Sequence, residues 1–234
     1  MLSHKRMSLD ALDVTPAEMA DIFRENPSLY AMLKGYVGER KLRDFLLEHE
    51  DVDACEKMDD HNREHKYDLQ VRYRGQHFKV ESKGIQTNTI RRTGLPSVHW
   101  GAWQYNTSNR RQIRVGGVRL DTSSIPFGMC DVVAVPLWDF HGRWEFAFVL
   151  NRDLKPSNSQ SFPHEVRHLL VATSQRIRYP LVEPYRSEPF SLFDELFAGK
   201  CAEAKHTVLG FFGKEAKACP ARIEARPDST TSSV

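Results

Sequence analysis

Two short alternating stretches flank the dipeptide Arg74-Gly75, and together they leave the chain little freedom there. From His65 to Tyr73, the residues Leu69, Val71 and Tyr73 fall on one side, and from Gln76 to Lys83 Phe78 and Val80 do the same. Strand side chains alternate between two faces, so each stretch reads as a half-buried strand. Arg74-Gly75 reads as a two-residue turn between them. That turn places Tyr73 opposite Gln76, Val71 opposite Phe78 and Leu69 opposite Val80. A slip of one residue would send the whole apolar set to the opposite face, so the register is specified.

The same register sets Asp68 opposite Glu81 on the polar face. Facing carboxylates repel and weaken a sheet. A divalent cation between them reverses the sign, and hard carboxylate oxygens suit Mg²⁺, with Mn²⁺ able to substitute. Lys83 lies two residues beyond Glu81 and shares its face. Its ammonium would sit beside the metal, where it could orient a water or neutralise a phosphate. The plainer reading of Glu81 and Lys83 is a same-face charge pair on an exposed strand.

The formal net charge of +2 hides a segregated distribution. Residues 1–62 carry −6, residues 63–119 carry +9 and residues 120–234 carry −1. A basic block inside a near-neutral chain suggests a polyanionic partner, although a solvated basic face is the simpler origin. Trp100, Trp103 and Tyr105 lie among Arg91, Arg92, Arg110, Arg111 and Arg114. Flat rings among guanidinium groups could meet bases, or they could be core aromatics. No apolar run approaches the roughly 18–20 residues of a membrane span. Met1 to Val14 has no apolar core of the kind a secretory signal needs. The four cysteines, Cys55, Cys130, Cys201 and Cys219, form no CxxC pair, which argues against a zinc ribbon or disulfide framework. These features point to a globular chain in a reducing cytoplasm.

Elsewhere, Thr15-Pro16-Ala17-Glu18 reads as a helix start, with a capping box and a proline at the first turn. A second helix is expected from about Ser28 to Glu50, with Gly35 and Gly38 unusual inside it. Each glycine costs about 1 kcal/mol relative to alanine, which a close backbone or ligand approach would explain. Glu48 to Asp60 reads as a loop, and Gln112 to Leu120 as a weak strand. The apolar runs Asp131–Trp138 and Trp144–Leu150 read as a buried hairpin. A last helix is expected from Phe190 to about Ala204, and residues 214–234 read as a disordered tail.

Asp68, twelve intervening residues and then Glu81-Ser82-Lys83 resemble the Asp…(Asp/Glu)-x-Lys signature of the PD-(D/E)xK, or restriction-endonuclease-like, nuclease superfamily. Glu39 on the preceding helix resembles the acid many members carry on their first core helix. The resemblance covers about residues 28–151, and Tyr67 stands where many members have proline. It implies an α/β fold with an αβββαβ core, a central mixed sheet flanked by helices, within a single nuclease domain of residues 1–213. It implies a metal-dependent endonuclease acting on double-stranded DNA, most simply of restriction type, with a Holliday-junction resolvase as the alternative. Asp68, Glu81 and the Ser82 backbone carbonyl would hold Mg²⁺, with Glu39 acting through water or a second metal. Lys83 would hold the water or the phosphate. Arg91, Arg92, Arg110, Arg111 and Arg114 would contact DNA, and symmetric duplex cutting would favour a homodimer.

Each residue also has a plainer or rival reading. Glu39 could pair with Arg43 one turn on. His61 and His65 could hold a transition metal. Gln86 and Gln104 could orient a nucleotide or be ordinary surface amides, and Asp131 could be structural. A non-catalytic DNA-binding module on the same fold, and a protein unrelated to nucleic acid, remain as functional alternatives.

Overall fold

The structure, a computed structural model, describes residues 12–58, 67–94 and 98–209. Helix α1 spans Pro16–Glu25. The Glu18 N–H donates to Thr15 Oγ1 at 3.2 Å, and the Thr15 N–H donates to Glu18 Oε2 at 2.8 Å. That reciprocal pair is the capping box read from the sequence. Helix α2, Pro27–Leu47, buries Gly38, Leu42 and Leu46. A Cβ on Gly38 would come within 3.4 Å of Trp144 and 3.5 Å of Pro136, so side chains, not backbone, make the close approach. Nothing crowds Gly35.

Strand β1, Val52–Lys57, lies where the acidic segment was expected to be a loop. Its Val52 and Cys55 are buried, and the charged Asp53, Glu56 and Lys57 around them mask that signal. Strands β2, Leu69–Tyr73, and β3, Gln76–Ser82, form the expected hairpin. Leu69 pairs with Val80, Val71 with Phe78 and Tyr73 with Gln76. Arg74 and Gly75 have φ of +48° and +73°, the left-handed pair that a tight hairpin turn requires.

The chain then runs through β4 (Arg91–Thr93), β5 (Val98–Gln104), β6 (Asn106–Val115) and β7 (Val118–Ser124). The expected weak strand over 112–120 is the tip of the β6–β7 hairpin, folded at Gly116-Gly117. Strand β8 (Val132–Pro136), the short helix α3 (Trp138–His141) and strand β9 (Phe146–Leu150) form the expected buried hairpin. After them come α4 (His164–Arg167), β10 (Ser174–Tyr179) and α5 (Phe190–Leu209).

One mixed sheet has the order β1-β2-β3-β8-β9. Its β3 and β8 are parallel, and its other neighbours are antiparallel. A second sheet has the order β10-β5-β4, and β6-β7 stand as a pair. The protein is therefore mixed α/β, with helices beside a mixed sheet. Between β3 and β8, where the αβββαβ order places its second helix, the described residues form a 3₁₀ turn and four strands. That segment is rich in Gly, Thr, Asn and aromatic residues and lacks a period of 3.6, so helix has no apolar stripe to bury.

The chain divides into two compact units, residues 1–193 and 194–234. In the first, Leu42 and Leu46 of α2 and Phe78 and Val80 of β3 are fully buried, and Phe193 stacks on Phe78 at 4.8 Å between ring centres. A second cluster holds Trp103, Tyr105, Val133, Val135, Val149 and Ile177. The second unit begins within α5, and the tail expected over 214–234 lies outside the described residues. Among the described residues, no helix is long and apolar enough to cross a membrane. Cys55 and Cys130 are buried free thiols.

Candidate active site

Strand β3 carries the candidate site. It alternates Phe78 and Val80 toward one core and Glu81 toward the other, where Val133 of β8 is its neighbour in the parallel ladder. Glu81 is therefore a carboxylate held inside the sheet and only 6% exposed. The chain leaves β3 through Lys83, whose backbone N–H donates to the Ala134 carbonyl at 2.9 Å. Its ammonium turns back onto Glu81, with Nζ to Oε1 at 2.5 Å. The sequence expectation that these two share a face holds, but Glu81 is buried where an ordinary charge pair would be exposed.

Asp68 sits just before β2, and its carboxylate accepts the Ser82 N–H at 2.7 Å. The Asp68 N–H donates to the Val80 carbonyl at 3.1 Å. The ladder ends at Leu69–Val80, and Asp68 follows it as a cap on the last N–H of β3, not as a flat cross-strand partner of Glu81. Glu39 comes from α2, and its Oε2 accepts a 2.6 Å bond from Lys57 Nζ. Lys57 lies on β1, the strand hidden by the acidic segment, so sequence reasoning missed it. Its ammonium also lies 4.4 Å from the Tyr36 ring centre.

Burial pushes the Glu81 carboxyl up to about 7, against the pull of the adjacent Lys83 ammonium. The charges of Asp68 and Glu39 push the same way. Burial pulls Lys83 down, but the Glu81 charge and hydrogen bond outweigh it and hold the ammonium above its ordinary range. Asp68, Lys83 and Glu39 thus all act on the Glu81 charge. Behind them, Tyr105 Oη and the Cys130 thiol lie 3.2 Å apart, and burial, the largest cause, raises both, with Cys130 at about 12.

A cleft of about 420 Å³ opens beside this group. Of these groups Glu39 lines it, with Ser82, Gly84 and Gln86. Trp138 and Trp144, stacked at 4.8 Å, and the Lys34–Asp139 ion pair at 2.6 Å also line it. Gln86 therefore reaches the cleft, whereas Gln104 is exposed on β5. Asp131 is structural, since its Oδ2 accepts the Lys79 N–H at 2.7 Å beside β8. His61 and His65 lie outside the described residues.

The donor set fits a hard divalent cation in kind: carboxylates of Asp68, Glu81 and Glu39, with the buried Glu81 beside a single lysine. Among the described residues, no three His, Cys, Asp or Glu side chains converge as a ready-made metal cage. Lys83 and Lys57 hold the positions nearest two of the acids.

The five arginines expected at DNA separate into two groups. Arg91 and Arg92 are exposed on β4. Arg110, Arg111 and Arg114 lie on β6, where Arg110 pairs with Asp121 and Arg114 Nε donates to the Gly117 carbonyl at 3.3 Å. No family model matches the chain, and no curated protein matches it. Among solved structures, a bacterial homing endonuclease matches 74% of this chain and 97% of its own, at 15% identity and a TM-score of 0.36. At that score the likeness establishes neither a shared fold nor a shared activity.

Proposed function

We propose that this protein is a Mg²⁺-dependent endonuclease that hydrolyses phosphodiester bonds in double-stranded DNA, of restriction type, with Mn²⁺ able to substitute. The observation that carries this reading is the buried Glu81 carboxylate, bonded to Lys83 and lying in the fields of Asp68 and Glu39. A fold retains an ionisable pair in its sheet at a cost in desolvation, which a chemical role explains. Asp68, Glu81 and the Ser82 carbonyl would hold the ion, with Glu39 acting through water. The ion would supply a more acidic water and stabilise charge on the phosphate. Lys83 keeps its proton at neutral pH and offers N–H donors to a phosphate oxygen or the attacking water. Gln86, at the mouth of the cleft, can hydrogen-bond a nucleotide. Arg91, Arg92, Arg110, Arg111 and Arg114 contribute phosphate contacts, and a two-fold dimer would present two such sites to a duplex.

The test is cleavage of supercoiled plasmid by the purified chain with Mg²⁺ and with chelator. Glu81→Gln and Asp68→Asn are each expected to lower the rate by at least about 100-fold. Cleavage unchanged in both variants would show that the site is elsewhere. Discrete fragments mark a restriction enzyme, and preference for four-way junctions marks a resolvase.

A second reading, a non-catalytic DNA-binding module, draws support from the same ion pairs. Lys83 and Lys57 already neutralise two of the acids that a metal would need. It expects salt-sensitive DNA retention with no hydrolysis under either metal.

A further inference from the structure

The β10-β5-β4 sheet has one face turned into the core and one turned outward. His99, Gly101 and Trp103 of β5 and Gln175 and Ile177 of β10 are buried. The alternate residues Trp100, Arg176 and Arg178 take the other face. Trp100 is 42% exposed, high for the largest side chain on a strand. The register puts Arg91 directly opposite it on one neighbouring strand and Arg178 directly opposite it on the other. The Arg178 guanidinium lies 5.5 Å from the Trp100 ring centre. A shallow depression of about 510 Å³ runs between Trp100, Arg91 and Arg176, and no acidic residue lines it.

The charges on this face are uncompensated. Among the described residues, Arg91, Arg176 and Arg178 form no ion pair, and the Arg91 guanidinium donates only to the Asn88 and Ile90 carbonyls. The Arg178 Nε is buried without a hydrogen-bond partner. Elsewhere, Arg74 pairs with Asp51, Arg110 with Asp121 and Arg24 with Asp21. Three unpaired cations around an exposed indole suit a ligand with both negative charge and a flat apolar face. A nucleotide strand has both. A duplex buries the faces of its bases, so the ring is useful only where a base is unpaired.

We propose that the outer face of this sheet binds a single-stranded stretch of nucleic acid, stacking a base on the Arg178–Trp100 pair and holding flanking phosphates with Arg91 and Arg176. This deepens the nuclease reading and rests on nucleic acid being its substrate. It joins Arg176 and Arg178, which the sequence did not mark as nucleic-acid contacts, to Trp100 and Arg91, which it did.

The experiment is fluorescence anisotropy of the full chain with labelled oligothymidylate of about 20 nucleotides, and with a duplex of the same length, in chelator at ~50 mM salt. Wild type is expected to bind both. Trp100→Ala should weaken oligothymidylate binding about tenfold and Trp100→Phe should restore most of it, while an abasic strand should be insensitive to either change. Arg176→Gln and Arg178→Gln should each weaken binding and lower the slope of log affinity against log salt by about 0.7. Arg24→Gln, which removes a paired charge from α1, should change nothing. Thermal melts matching wild type certify that the exposed-site variants fold. If wild type binds duplex while Trp100→Ala, Arg176→Gln and Arg178→Gln all bind oligothymidylate as wild type does, this proposal fails and the nuclease reading survives. If wild type binds neither ligand, both fail.

Discussion

At the scale of single residues, Glu81 is where stability and chemistry meet. Its carboxyl sits near 7 in the folded chain against an ordinary 4.5, so the folded state holds that proton more tightly than the unfolded state does. For an acid raised in this way, folded stability is greatest below the ordinary value and falls as pH rises from about 4.5 through about 7. Glu81→Gln cannot ionise and escapes that loss. In chelator, its melting temperature should gain on wild type between pH 5 and pH 8, by an equivalent of up to about 3 kcal/mol. A difference that stays flat across that range would show that Glu81 is ionised in both states at pH 5. The pairing that brings Asp68 to this place was legible from Leu69, Val71, Phe78 and Val80 alone. That Asp68 caps the Ser82 N–H was not, because a side chain replacing a ladder bond leaves no trace in an alternation pattern. Lys57 was hidden for a similar reason, since its strand is an edge dense in acids, as edges that resist association often are.

At the scale of elements, two local devices are open to test. Gly101 lies mid-strand in β5, and a Cβ there would come within 2.9 Å of Ile85 and 3.1 Å of Phe140. Gly101→Ala should destabilise the chain by about 1–3 kcal/mol in denaturant melts, the usual cost of overpacking. An unchanged midpoint would mean that the layer between β5 and α3 is loosely packed. At the start of α5, the Glu188 carboxylate accepts the Phe190 N–H at 2.7 Å and the Ser191 N–H at 3.1 Å. Burial pushes that carboxyl up, but these bonds and the Ser191 hydroxyl outweigh it and hold it below its ordinary value. The contribution is present above the ordinary range and is lost as pH falls below it. Glu188→Ala should cost about 1 kcal/mol at pH 7, and less at pH 3. An equal cost at both pH values would count against a charge-dependent cap. Hairpins and buried strands were readable because their periods are strong. The β6–β7 hairpin was missed although Gly116-Gly117 is itself a turn signal, because the polar residues on both sides mask any alternation. The connection from β3 to β8 departs from the αβββαβ order because neither composition nor period in that stretch supports a helix.

At the scale of the whole molecule, the +9 block of residues 63–119 is divided. Part of it lies in the hairpin and beside Glu81, part on the outer face of the small sheet, and part on β6–β7, where Arg110 pairs with Asp121. Charge contiguous in sequence is therefore spread over three places in the structure. The proposed nuclease site depends on Asp68 and Glu81 together holding a cation. Calorimetric titration of the chain with Mn²⁺, without DNA, tests it most directly. Saturable binding is expected in wild type, abolished by Glu81→Gln and by Asp68→Asn and left intact by Arg24→Gln. Binding that persists undiminished in both site variants, or no binding in wild type at millimolar metal, would contradict it.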